Sequence, residues 1–227
     1  ERGPARRLRD EVGEGLRFVF ANPYLRAFAG EAGMFNIFQN AMMTAFLVYA
    51  VRVLDMSAGV LGAVIASGAV GTLVGSLIAR RIEQRLALGP AIVAAMFLGT
   101  WPFLLVPLAS GPGLASIAAL TIAFLVSGVG IGVVVVLVAT LRQTVTPARM
   151  MGRMNASYRF VVWGSIAVGA VLGGVMGSTL GLRTTLMIGA VGIAAAPAWI
   201  VLSPIPRLRS VEQASMRIED IVPSFAQ

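Results

Sequence analysis

Six apolar stretches, each long enough to cross a bilayer, fill residues 27–202, and nearly every charge falls in the short gaps between them. A hydrocarbon core about 30 Å thick calls for about 20 mostly apolar residues per spanning helix. The pattern predicts spans over 27–51, 58–79, 89–109, 114–141, 154–177 and 184–202. With 57% hydrophobic and 12% charged residues, the composition lies outside the range of soluble domains, so an all-α integral membrane fold is expected. Residues 1–25 lead into the six-helix unit at 26–202, and 203–227 form a tail.

Charge placement predicts the orientation. The 18 basic residues are all Arg, and if the spans alternate, only Arg52 and Arg183 fall opposite the other sixteen. Cytoplasmic loops accumulate Arg and Lys, so both termini are expected in the cytoplasm. The net charge of +8 would suggest nucleic acid in a soluble chain. Here the topology and anionic lipid at the inner surface account for it, and no nucleic-acid partner is expected.

The chain has no His, no Cys and no Lys. Metal sites and haem held by His or Cys, thiol chemistry, a Ser/His dyad and a Walker lysine are thereby excluded. No metal, no cofactor and no enzymatic reaction are expected.

Between Glu1 and Ala21, the residues Leu8, Val12, Leu16 and Val19 recur about once per helical turn. Such a stripe suits an amphipathic helix on the membrane surface, with a solvated linker as the alternative. Asn22 and Pro23 read as an N-cap and first helical residue. No signal peptide is visible, and without an initiator Met the chain reads as part of something longer. Arg80–Gly89 and Arg142–Arg153 are expected as the longest internal loops, and the tail from Ser203 as partly disordered.

Several glycines recur at helical spacing. Gly169, Gly173 and Gly177 repeat every four residues in the fifth span, as do Gly71 and Gly75 in the second. Small residues so spaced let helix backbones approach closely in lipid, either for tight packing alone or for sliding against a partner. Gly128, Gly130 and Gly132 superficially suggest a dinucleotide fingerprint, but they lie inside an apolar run with no preceding strand.

Polar groups inside the spans are costly and therefore informative. Glu31 is the one carboxylate within the predicted spans, and Arg159 lies one to two turns inside the fifth. Both can snorkel to the headgroups, or face inward to pair or to meet substrate. Arg159 can bind or gate, but it cannot carry a proton. Asn36, Gln39 and Asn40, with Thr44 beyond, form a polar stripe on one third of the first helix. Helix-to-helix hydrogen bonding and the lining of a wet cavity both explain it. Trp163 shares the face of Arg159 and could stack on an apolar or aromatic ligand.

The runs EGLRFVFANPYLR at Glu14–Arg26 and VTPARMMGRMNASYR at Val145–Arg159, with Trp163, Gly164, Gly169, Gly173, Gly174 and then Gly181–Arg183, resemble helices seven to twelve of a major facilitator superfamily transporter. More narrowly, they resemble bacterial exporters related to enterobactin and macrolide efflux proteins. The resemblance implies one half of such a bundle, built from two inverted three-helix repeats. It also implies a missing N-terminal half as partner, and proton-coupled efflux, by antiport, of amphiphilic small molecules across the bacterial cytoplasmic membrane. Arg80, Arg81 and Arg85 match the superfamily's loop between the second and third helix of a half, and Pro147, Gly152 and Arg153 fall in a second gating loop. Ala79 stands where an Asp is usual and Ile82 where a Gly is, so a salt bridge through that Asp does not carry over. A six-span subunit of an ATP-driven permease and a non-transporting scaffold remain as rival classes.

Overall fold

A computed structural model describes residues 8–214 of the chain. Helix α1 (Leu8–Ala21) is followed by α2 (Pro23–Arg52), α3 (Ala58–Leu86), α4 (Leu88–Thr100), α5 (Leu114–Thr144), α6 (Met151–Thr179), α7 (Leu182–Ala195) and the short α8 (Ala198–Val201). Among the described residues there is no strand, and six helical segments are long and apolar enough to cross a membrane. These are α2, α3, α4 with its continuation to Leu108, α5, α6 with the preceding turn from Ala148, and α7 with α8.

Local chemistry sets several boundaries. The Asn22 side chain accepts hydrogen bonds from the N–H groups of Tyr24 (3.0 Å) and Leu25 (3.2 Å), and Pro23 follows where a helix needs no donor. Ser57 caps α3 through the N–H of Val60 at 3.4 Å. The third span changes character at Trp101, where α4 tightens into a 3-10 helix over Trp101–Leu108 that contains Pro102 and Pro107. Neither proline has an N–H to sustain an α-helical ladder.

The expected basic loops are mostly helix. α3 runs on to Leu86 and meets α4 across Ala87 alone, at φ +64°, so Arg80, Arg81 and Arg85 ride on its last turns. α5 runs to Thr144, and only Val145–Pro147 and a 3-10 turn at Ala148–Met150 separate it from α6. Arginine is a good helix former, and a helix end that leaves the hydrocarbon can carry it at little cost.

Both flanking segments are docked. A Cβ added to Gly15 would lie 2.8 Å from the Arg153 carbonyl and against the Ser157 hydroxyl, and Phe18 and Val19 are buried. Helix α1 therefore packs on the start of α6. In the tail, Gly89 N–H donates to the Leu208 carbonyl (2.9 Å) and Leu88 N–H to that of Arg209 (3.4 Å). The N-terminus of α4 has no side-chain cap, and these carbonyls take its free donors. Residues 203–210, expected as partly disordered, are thereby held, with Ile205 and Leu208 buried. The tail beyond residue 214 lies outside the described residues.

Packing follows an internal exchange. The first span packs most on the fifth and sixth, the fourth on the second and third, and the third touches the sixth. Swapping first for fourth, second for fifth and third for sixth leaves this scheme unchanged. The swapped helices run in opposite directions across the bundle, which is the arrangement of two inverted three-helix repeats. The closest contacts repeat as well. A Cβ on Gly71 would collide with the backbone of Leu125, and one on Gly75 with that of Val129. Equally, Gly169 lies against Ile37 and Gly173 against Ala41.

Candidate transport site

Helix α2 touches its neighbours along separate lines, which leaves one arc free. Ile37 and Ala41 meet the glycines of α6, Phe38 and Met42 meet Gly192 and Gly189 of α7, and the Phe46 ring lies 5.4 Å from that of Phe124 in α5. At about 100° per residue, Asn36, Gln39 and Asn40 fall between the α5 and α6 lines, on the arc that none of these contacts uses. Their side chains are half-buried, as is that of Thr44.

The hydrogen bonds of this stripe stay within α2. Asn36 Nδ2 donates to the Ala32 carbonyl (2.7 Å), Asn40 Nδ2 to the Asn36 carbonyl (2.9 Å), and Thr44 Oγ1 to the Asn40 carbonyl (2.9 Å). Asn40 Nδ2 also reaches Gln39 Oε1 at 3.4 Å. Such back-bonding satisfies donors locally. Among the described residues, none of these bonds crosses to another helix, so the stripe does not tie the bundle together. The Oδ1 atoms of Asn36 and Asn40 are left as acceptors on the open arc.

The internal exchange pairs part of this stripe with glycine. Matching the two glycine seams aligns Ile37 with Leu125 and Ala41 with Val129, and so aligns Asn40 with Gly128 and Thr44 with Gly132. Gly128 and Gly132 seat directly on the Gly68 and Thr72 carbonyls, which closes the α3–α5 seam from both sides. Larger polar side chains stand at the matching places in α2. Beside them a cleft of about 340 Å³ opens between α2 and α6, lined by Thr44, Val48, Arg52, Gly173, Gly177 and Ser178 among others.

The charged candidates separate. Glu31 is half-buried, about one turn before Asn36. Arg159 and Trp163 are both exposed on α6, Trp163 to 69%, beside an equally exposed Phe160. The arginine that does engage is Arg142, at the end of α5. Its guanidinium lies 3.5 Å from the centre of the Tyr158 ring, and its Nη2 donates to Asn155 Oδ1 at 3.1 Å and to Met154 Sδ at 3.6 Å. Sequence reasoning passed over Arg142 and Tyr158. The available signal was an arginine two residues before the end of a span, followed by a tyrosine early in the next.

The remaining candidates lie at the helix ends or in the seams. Arg80, Arg81 and Arg85 project from the end of α3, Pro147 precedes the 3-10 turn, and Gly152 has open space around it. Arg153 Nη1 reaches Met150 Sδ at 3.9 Å. Gly177 meets only Leu182, at 3.7 Å from an added Cβ, and so lies outside the α2–α6 seam formed by Gly169 and Gly173. Gly130 is a contact of its own, seated on Gly99 of α4. No group of three or more His, Cys, Asp or Glu that could hold a metal occurs among the described residues.

A family model described as a transmembrane secretion effector, of the major facilitator superfamily, matches residues 1–223. The chain belongs to that family. Comparison with curated proteins and with solved structures found no match. Membership makes the six-helix bundle that of a membrane transporter.

Proposed function

We propose that this secretion effector exports amphiphilic small molecules by alternating access, driven by a proton gradient, and that its six helices form one wall of the path. The amide stripe on α2 carries this reading. It is half-buried and bonded only within its own helix, and its Asn40 stands where the matching repeat has a close-packed glycine. A site for amphiphiles needs an apolar lining with a few convergent polar groups. Asn36, Gln39, Asn40 and Thr44 supply the polar groups, and the exposed Trp163 of α6 supplies aromatic surface.

The other wall is a second six-helix half. α6 leaves large apolar side chains exposed, including Phe160 and Val171. That face suits a partner that rocks against it. Glu31 is the carboxylate that exchanges protons. The arginine-rich ends lie in the cytoplasm, in the inner membrane of a bacterium.

The test is flux of a fluorescent amphiphile through the complete transporter in proteoliposomes with an imposed pH gradient. Gradient-dependent flux that is lost in Asn36→Leu/Asn40→Leu supports the reading. Undiminished flux in that variant removes the stripe from the path, and gradient-independent flux removes proton coupling.

A further inference from the structure

Helix α3 outruns its counterpart. In the register that matches Gly71 with Gly169 and Gly75 with Gly173, Arg81 corresponds to Thr179, the last residue of α6, yet α3 continues to Leu86. The glycine seam does not demand these extra residues, and the end of the helix is charged. Arg80, Glu83, Gln84 and Arg85 line a groove of about 690 Å³ whose other wall is Arg209 and Ser210 of the tail.

The groove is built from two segments far apart in sequence and fixed to each other. The Arg209 carbonyl accepts from Leu88 N–H, its own N–H donates to Gln213 Oε1 at 2.9 Å, and a Cβ on Gly89 would strike the Ile205 carbonyl. Among the described residues, the guanidinium groups of Arg80, Arg85 and Arg209 make no hydrogen bond or ion pair. Glu83 is the single carboxylate in the lining, so the groove is net positive.

Its depth identifies the ligand class. Leu77, 73% exposed, lies one turn before Arg80, which is about 4.5 Å along the helix axis. The groove therefore opens just beyond the apolar surface of α3, where lipid phosphates lie. Guanidinium forks match phosphate oxygens in pairs, and the exposed Leu86 offers apolar contact beside them. We propose that this groove binds the phosphate headgroup of an anionic membrane lipid, which clamps the tail to the α3–α4 junction.

The experiment titrates the purified protein, in neutral detergent, with phosphatidylglycerol, with phosphatidylcholine of the same chains and with inorganic phosphate, and counts retained lipid by native mass spectrometry. The expected result is saturable retention of phosphatidylglycerol over phosphatidylcholine. Each of Arg80→Gln, Arg85→Gln and Arg209→Gln should weaken it about fivefold. Arg81→Gln removes the same charge one residue away but outside the groove, and should leave retention unchanged. Equal weakening by Arg81→Gln would reveal a diffuse field instead of a site. Retention that ignores the three groove substitutions, or displacement by inorganic phosphate at the lipid's own concentration, would overturn the proposal as well. The three arginines are exposed, and a lipid-free unfolding curve for each variant separates lost binding from lost folding.

Discussion

The Arg142 guanidinium lies over the Tyr158 ring, 3.5 Å from its centre, and so joins the end of the fourth span to the start of the fifth. A cation over an aromatic face contributes about 0.5–2 kcal/mol, more as water is excluded. Tyr158→Phe keeps the face and should leave the unfolding temperature nearly unchanged. Tyr158→Leu should lower it, and Arg142→Lys should too, because an ammonium cannot both stack and reach Asn155 Oδ1. Equal melting of Tyr158→Phe and Tyr158→Leu would show that the ring face contributes nothing.

The glycine seams predict a sharp contrast in stability. Gly75→Ala places a methyl group on the Val129 backbone and should cost about 1–3 kcal/mol by overpacking. Gly174→Ala, in open space on α6, should be neutral or stabilise by up to about 1 kcal/mol through helix propensity. Thermal unfolding in detergent measures both, and similar shifts would argue against a backbone seam at Gly75.

Asn36→Leu and Asn40→Leu should leave folding intact, because each amide donor serves only its own helix and no partner on another helix is orphaned. Transport of a polar-headed amphiphile should fall. A loss of folded yield in step with transport would instead mark the stripe as structural.

Glu31→Gln should abolish gradient-driven flux and preserve substrate binding, since Gln keeps the shape of the side chain and loses its proton site. The readout is proteoliposome flux with and without a pH gradient, beside equilibrium binding of the same substrate. Normal gradient-driven flux would move coupling to another carboxylate.

Orientation is open to chemical labelling, because the chain has no cysteine of its own. Cysteines at the exposed positions Gln84 and Ala148 should be protected from an impermeant reagent in intact cells, and one at Ser110 should react. The opposite pattern would invert the topology.

What the sequence determined by itself is the set of spans and many of their ends. Lipid offers the backbone no hydrogen bonds, so a run of about 20 apolar residues has little choice but helix, and Asn22–Pro23 carries its cap in its own chemistry. Neighbour relations were the decision of tertiary structure. Gly71, Gly75, Gly169 and Gly173 announce close approach at their spacing, but only the assembled bundle seats them on Leu125, Val129, Ile37 and Ala41. Gly128 and Gly132 look the same in sequence as Gly130, yet they face α3 while Gly130 faces α4, because alternate residues of a helix point about 200° apart. Arg159 stood out by its depth in a span and Arg142 only by its place near a span end, but a guanidinium stacks where a ring is offered, and Tyr158 offers it to Arg142. Composition dictates which residues must leave water, whereas the partner each one finds depends on helices brought together from distant parts of the chain.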